Sequence, residues 1–143
     1  MKKTSEVDDS IFEECLNNEE MKKFFLEFTI AEWSSENYFI YFDIINFQKM
    51  KDIQMKRELA QKIYSTYLNG NSSELEVNIT QELCREIKQK IDNEEEEIDI
   101  DLFKEVLKSI RSNLKDTFGR FRFTQDYLNF QKTSDILNKE VAE

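Results

Sequence analysis

Histidine is missing from all 143 residues. Without it there is no Ser-His or Cys-His nucleophilic site and no His-ligated metal centre. Proline is also absent, and glycine occurs only at Gly70 and Gly119. All-β chains need left-handed turn positions and turn-presetting prolines, so this scarcity argues for helices. Two isolated glycines cannot build a Gly-rich phosphate loop either. No run of about 18 apolar residues exists, so no transmembrane helix is expected. Met1-Lys2-Lys3 leads into Thr4-Ser5-Glu6-Val7-Asp8-Asp9, which lacks the apolar segment of a secretory leader. Neither end carries a myristoylation or prenylation signal. The two cysteines, Cys15 and Cys84, sit at apolar positions of helical patterns. They read as buried thiols in a reducing compartment, with a single disulfide as the alternative. A cytoplasmic domain is the expectation.

Positive charge is in short supply as well. Twenty Lys and Arg face 30 Asp and Glu, for a net charge of −10. Nucleic-acid binders neutralise phosphates with cations, so this balance weighs against such a surface and against broad attraction to anionic membranes.

What is present is material for a helical core. Hydrophobic residues make up 39% of the chain and include 12 Phe, too many for a disordered segment. The length fits one domain, expected over residues 9–131, with loose segments at 1–8 and 132–143. Apolar residues recur at helical spacing almost throughout. Ile11, Phe12, Cys15 and Leu16 form a first stripe; Met21, Phe24, Phe25 and Phe28 form a second, with Asn17 and Glu20 resembling a capping box before it. From Tyr38 to Phe47 the chain is apolar nearly all round, as in a helix lying between others, and its start at Ser34-Ser35-Glu36-Asn37 is polar. Leu59, Ile63, Tyr64, Tyr67 and Leu68 mark a further helix stopped by Asn69-Gly70. Gly70 to Ile79 has no period and reads as a loop, after which Thr80 caps a helix carrying Leu83, Cys84, Ile87 and Ile91. A helix bearing Leu102 to Ile110 follows, then a short one around Asp116–Phe121 and a last one near Gln125–Gln131.

Three features invite sharper readings. Asp92 to Asp101 is acidic, but an EF-hand needs a central glycine that is missing, so a solvated connector is expected and no metal. Lys104, Lys108, Arg111 and Lys115 share one helix face; Lys49, Lys51, Lys56, Arg57 and Lys62 form a second basic stretch. Both read first as solvated faces paired with nearby acids, and second as docking surfaces for an acidic partner or a phosphoinositide headgroup. Carboxylate pairs arise by chance among so many acids, so neither an enzyme nor a cofactor is expected.

The segment Glu32-Trp33-Ser34-Ser35-Glu36-Asn37 is more specific. It resembles the Glu-aromatic-Ser-x-Glu-Asn motif of the RGS (regulator of G-protein signalling) family. Four further segments match in the family's order: Ile63-Tyr64-Ser65-Thr66-Tyr67-Leu68, Glu76-Val77-Asn78-Ile79, Asp101-Leu102-Phe103 and Asp116-Thr117-Phe118-Gly119-Arg120-Phe121. Each is weak alone, but together they span about residues 8–130.

The resemblance implies an all-α fold of nine helices with an antiparallel four-helix bundle as its core. It implies a monomeric GTPase-activating domain that binds a heterotrimeric G-protein α subunit in its GTP or transition-state form, in the cytoplasm or recruited peripherally to the inner face of the plasma membrane. A family scaffold that binds without accelerating hydrolysis is the alternative. The implied contacts are Glu32, Trp33, Ser34, Glu36 and Asn37; Glu76 and Asn78; and Asp116, Thr117 and Arg120, with Asp116 and Arg120 one helical turn apart and able to pair. Capping is the plainer role for Ser34, Ser35 and Asn37. The chain departs from the family at Ile40-Tyr41, which stand where Phe-Trp is usual, and at Gly119, which replaces a larger residue. Ser112 stands where the family has an interface leucine, with Leu114 two residues further on.

Overall fold

The computed structural model describes residues 9–69 and 79–142, with backbone only for 134–142. Among the described residues the chain is all-α: seven α-helices and one π turn, with no strand. Nine helices, as the resemblance implies, are not seen among them. The helices are α1 (Asp9–Asn17), α2 (Glu19–Ala31), α3 (Ser35–Lys49), α4 (Ile53–Ile63), α5 (Gln81–Asp92), α6 (Lys104–Phe121) and α7 (Gln125–Ala142); the π turn, Tyr64–Leu68, follows α4 directly. The chain divides into two compact units, Met1–Trp33 with Leu114–Glu143, and Ser34–Asn113.

The first unit has an aromatic interior. The α1 stripe buries Phe12, Cys15 and Leu16, and α2 buries Met21, Phe25 and Thr29. Rings from α2 and α6 interlock: Phe25 lies edge-on to Phe118 at 6.0 Å and tilted to Phe121 at 5.3 Å, while Phe28 meets Phe121 at 5.5 Å. Tyr127 of α7 closes on Phe118 at 5.7 Å. Each tilted or edge-on pair adds about 0.5–1.5 kcal/mol beyond the area it buries. The start of α2 differs by one residue from the sequence expectation. Asn18 is the cap, its Oδ1 accepting from the amides of Glu20 and Met21, whereas Asn17 ends α1 by donating to the Glu13 carbonyl. The thiol of Cys15, free and buried here, is pushed up to about 12 by desolvation.

The second unit is mostly aliphatic. α3 turns Ile40, Ile44 and Phe47 inward, as its all-round apolar pattern predicts. α4 packs on α3 and α5, adding Ala60 and Ile63 to the Ile87 and Ile91 of α5. Thr80 caps α5 as expected, accepting from the Leu83 amide at 3.1 Å. The acidic connector after α5 is more than solvated chain. Ile98, Leu102 and Phe103 are buried, and Phe103 meets the Phe47 ring edge-on at 5.1 Å. Arg57 secures the same stretch, donating to the carbonyls of Ile91, Asn93 and Glu96. The Ile91 carbonyl is one that the end of a helix leaves without an intrahelical partner, and the other two lie in the connector beyond it.

Two element boundaries differ from the sequence reading. The separate helix expected at Asp116–Phe121 is the last stretch of one continuous α6. No proline interrupts it, and Gly119 falls too near its end to break it. Likewise α7 runs to Ala142, past the boundary at 131, because nothing in Thr133–Ala142 stops a helix.

Candidate functional site

The end of α2 holds an unusual residue for its backbone. The helix closes with the Glu32 amide donating to the Phe28 carbonyl and the Trp33 amide to that of Ile30. Trp33 then adopts φ of 60°, the left-handed conformation that commonly follows a helix and is usually given to glycine. A bulky side chain there costs about 1–2 kcal/mol through the clash of Cβ with the backbone. Packing does not offset that cost, since Trp33 is 95% exposed.

Beside it, Glu32 is held by Arg120 from the last turn of α6. Arg120 Nη2 donates to Glu32 Oε1 at 2.7 Å, and Nε lies 3.2 Å from both carboxylate oxygens. The same guanidinium reaches Thr117 Oγ1 and the Asp116 carbonyl, each at 3.4 Å. This corrects the expected pairing of Asp116 with Arg120. The arginine takes Asp116 only by its backbone, and the Asp116 carboxylate is exposed with no ion pair among the described residues.

Within this unit, then, Glu32, Trp33, Asp116, Thr117 and Arg120 form one corner. Three of them are solvent-facing or half-exposed polar groups, Trp33 is bare, and Thr117 is 4% exposed beneath the arginine. The residue in the register of the implied interface leucine is exposed Ser112, whereas Leu114 is wholly buried and serves the core.

The Ser34–Asn113 unit carries the rest. Ser34 is the residue before α3, yet its side chain makes no capping hydrogen bond, so capping does not account for it. Glu36 is half-buried in the first turn. Asn37 is 4% exposed, and its Oδ1 has no hydrogen-bond partner among the described residues. Leaving a buried carbonyl acceptor unpaired costs about 1–3 kcal/mol, and such an atom in a native fold asks for a reason. Glu76 and Asn78 lie outside the described residues.

The basic stripe on α6 is not uniform. Lys115 pairs with Asp9 at 2.6 Å, Arg111 has partners of its own, and Lys104 and Lys108 are exposed. No helix of the described residues is long and apolar enough to cross a membrane.

Sequence reasoning missed the Glu32–Arg120 pair, because 88 residues separate the partners and nothing local connects them. It also missed the backbone of Trp33, although a helix ending in a chain nearly without glycine was a usable signal.

A family model described as the regulator of G protein signaling domain matches residues 11–130. Among curated proteins, "Regulator of G-protein signaling 10" of Rattus norvegicus is 29% identical over 127 residues, covering 88% of this chain and 67% of the relative. With most of its length inside that match, the chain belongs to the RGS family and to the regulation of G-protein signalling.

Proposed function

We propose that this domain binds the switch loops of a heterotrimeric G-protein α subunit and accelerates GTP hydrolysis there, which terminates the signal. The observation that carries the reading is Trp33. Folding gains nothing from a bare indole on a disfavoured backbone, whereas a partner surface gains a large rigid contact. Glu32 and Arg120, locked together beside it, present a preorganised polar rim. The full contact set on this reading is Glu32, Trp33, Ser34, Glu36, Asn37, Glu76, Asn78, Asp116, Thr117 and Arg120.

The domain need not be an enzyme to do this. A Gα subunit carries its own arginine for the transition-state charge and its own glutamine for the attacking water. What it lacks is a rigid arrangement of its switch loops. A partner that binds the hydrolytic geometry better than the resting one lowers the barrier by that difference in affinity. The domain should therefore prefer Gα loaded with GDP and a planar phosphate mimic over the GDP form and the stable GTP-analogue form. The exposed Lys104 and Lys108 lie off the contact, and replacing them leaves the stimulated rate nearly unchanged on this reading. It acts as a monomer in the cytoplasm or at the inner face of the plasma membrane.

One observation favours a scaffold that binds without activating. Asn37 and Thr117 are both buried, so neither side chain is free to meet a partner in this conformation. Single-turnover GTP hydrolysis by a panel of Gα subunits, with and without the domain, separates the two. Acceleration of at least about ten-fold with one subunit is expected, equal to about 1.4 kcal/mol of barrier. Equal affinity for all three nucleotide forms and an unchanged rate would leave the scaffold reading standing.

A further inference from the structure

The Ser34–Asn113 unit has a concave strip between α4, the π turn and α5. One depression of about 490 Å³ is lined by Lys62, Tyr64, Lys88 and Asp92 among others. Another of about 280 Å³ is lined by Leu68, Cys84 and Arg85 with the same Tyr64 and Lys88. Because Tyr64 and Lys88 border both, the two depressions form one groove.

Its charge runs against the rest of the molecule. In a chain of net charge −10, this groove is edged by Lys62, Arg85 and Lys88, with Asp92 as its one lining carboxylate. That carboxylate is already taken by Lys88 at 3.0 Å. Among the described residues neither Lys62 nor Arg85 has an ion pair. The second basic stretch of the sequence divides. Arg57 is spent on backbone carbonyls, Lys56 lies 6.0 Å from the Phe47 ring centroid, Lys49 and Lys51 are exposed at the end of α3 and beyond it, and Lys62 lines the groove. The floor is apolar, with Leu68 and Ile91 buried, and the Tyr64 ring holds the Lys88 ammonium 5.4 Å from its centroid. The π turn that puts Tyr64 and Leu68 here is an irregularity often met at functional sites.

We infer that this groove docks an acidic peptide segment of a partner protein, its carboxylates at Lys62 and Arg85 and one apolar side chain against Leu68 and Cys84. Charge complementarity selects the sign of the occupant. A nucleic acid would meet the repulsion of the remaining acidic surface, and a flat bilayer cannot enter a concavity. The chain's own run Glu94 to Glu97 is not free to move in, since Arg57 holds the Glu96 carbonyl. The proposal does not rest on the proposed Gα contact.

The test uses a fluorescein-labelled peptide of about twelve residues with alternating Glu and Leu, compared with Glu→Gln and Leu→Ser versions. Anisotropy should report saturable binding that weakens several-fold between about 50 and 200 mM salt, as screening predicts. Lys62→Glu with Arg85→Glu should weaken it at least about ten-fold, while melting temperature is retained. Both peptide variants should bind several-fold more weakly than the parent. The proposal is overturned by no binding, by equal binding to the charge-reversed protein, or by a loss of melting temperature that accounts for the lost binding. It is overturned too if binding appears only after Glu74 and Glu76 are changed to Gln, because the chain's own acids would then be the occupant.

Discussion

Two arginines in this molecule reach far along the chain and end in different company. Arg57, half-buried in the Ser34–Asn113 unit, donates to three carbonyls at and beyond the end of α5. Arg120, exposed in the other unit, makes its shortest contact with a side chain, Glu32, next to a bare Trp33, and reaches Thr117 Oγ1 and the Asp116 carbonyl as well. Backbone carbonyls beyond a helix end need donors whatever the protein does, so the first arrangement serves the fold. A surface carboxylate needs no donor, since water would satisfy it. The second arrangement fixes the shape of a surface, and that has value only to something that binds it.

The largest expected effects set these two against each other. Arg120→Ala should cut stimulated hydrolysis by about ten-fold or more while changing stability by less than about 1 kcal/mol, the usual worth of an exposed pair. Arg57→Ala should do the opposite. It takes a donor from the carbonyl of buried Ile91 and from those of exposed Asn93 and Glu96, and should lower stability by about 1–3 kcal/mol, with stimulation intact where the variant is folded. Melting temperature and single-turnover rate, measured on both variants, decide it. The same sign in both columns for either variant would break the division of labour. Asn78→Ala comes next. It lies in a segment without apolar period, so melting should hardly move, but the resemblance sets its carboxamide against the switch loops, where loss of about 1–3 kcal/mol of hydrogen bonding means roughly ten-fold in rate. A variant that stimulates like wild type would undo the assignment of that residue.

How much of this was legible in the sequence follows from the range of each cause. The helical class, most apolar faces and the Thr80 cap are written in spacings of three and four residues and read correctly, whereas the division at Asp116 and the end at 131 did not. The cap at Asn18 was misplaced by one because Asn17 and Asn18 are chemically equal and only the exit from α1 distinguishes them. Family membership was legible from five short motifs, each anchored to a helix or loop. The Glu32–Arg120 pair and the carbonyl targets of Arg57 were not, because they depend on tertiary approach. The π turn was missed for a related reason. Its sequence, Tyr64-Ser65-Thr66-Tyr67-Leu68, has the spacing of an ordinary helix, and I–to–i+5 pairing is not encoded in apolar period.

Trp33 offers a smaller but sharper cut between fold and partner. Trp33→Gly relieves the left-handed strain, though the extra freedom of glycine in the unfolded chain offsets part of that gain. Stability should stay level or rise by up to about 1 kcal/mol, while affinity for the transition-state form of Gα falls several-fold. A variant less stable than wild type would show that the indole is part of the fold after all.

The smallest effect concerns Tyr67, which lies in the π turn and takes no part in the proposed contact. Its hydroxyl donates to Asp43 Oδ2 at 2.7 Å, tying the turn to α3. Burial first, then the hydrogen bond to Asp43 and the charges of Asp43 and Glu36, hold its proton well above the ordinary tyrosine value of 10.0. In the unfolded chain the phenol ionises at the ordinary value. Above about pH 10 the unfolded state therefore binds fewer protons than the folded one, and stability falls as pH rises. Below that point the contribution is fully present. Tyr67→Phe should cost about 1 kcal/mol near pH 7, a shift of a few degrees in melting temperature, with stimulation of Gα unchanged. Between about pH 10 and 11 the gap between wild type and variant should narrow, because the wild type loses a contribution that the variant never had. Chemical denaturation of both proteins at a series of pH values measures that gap directly, and other tyrosines cancel in the difference. A gap that stays constant through pH 11 would mean that the Tyr67 proton is not held by the fold.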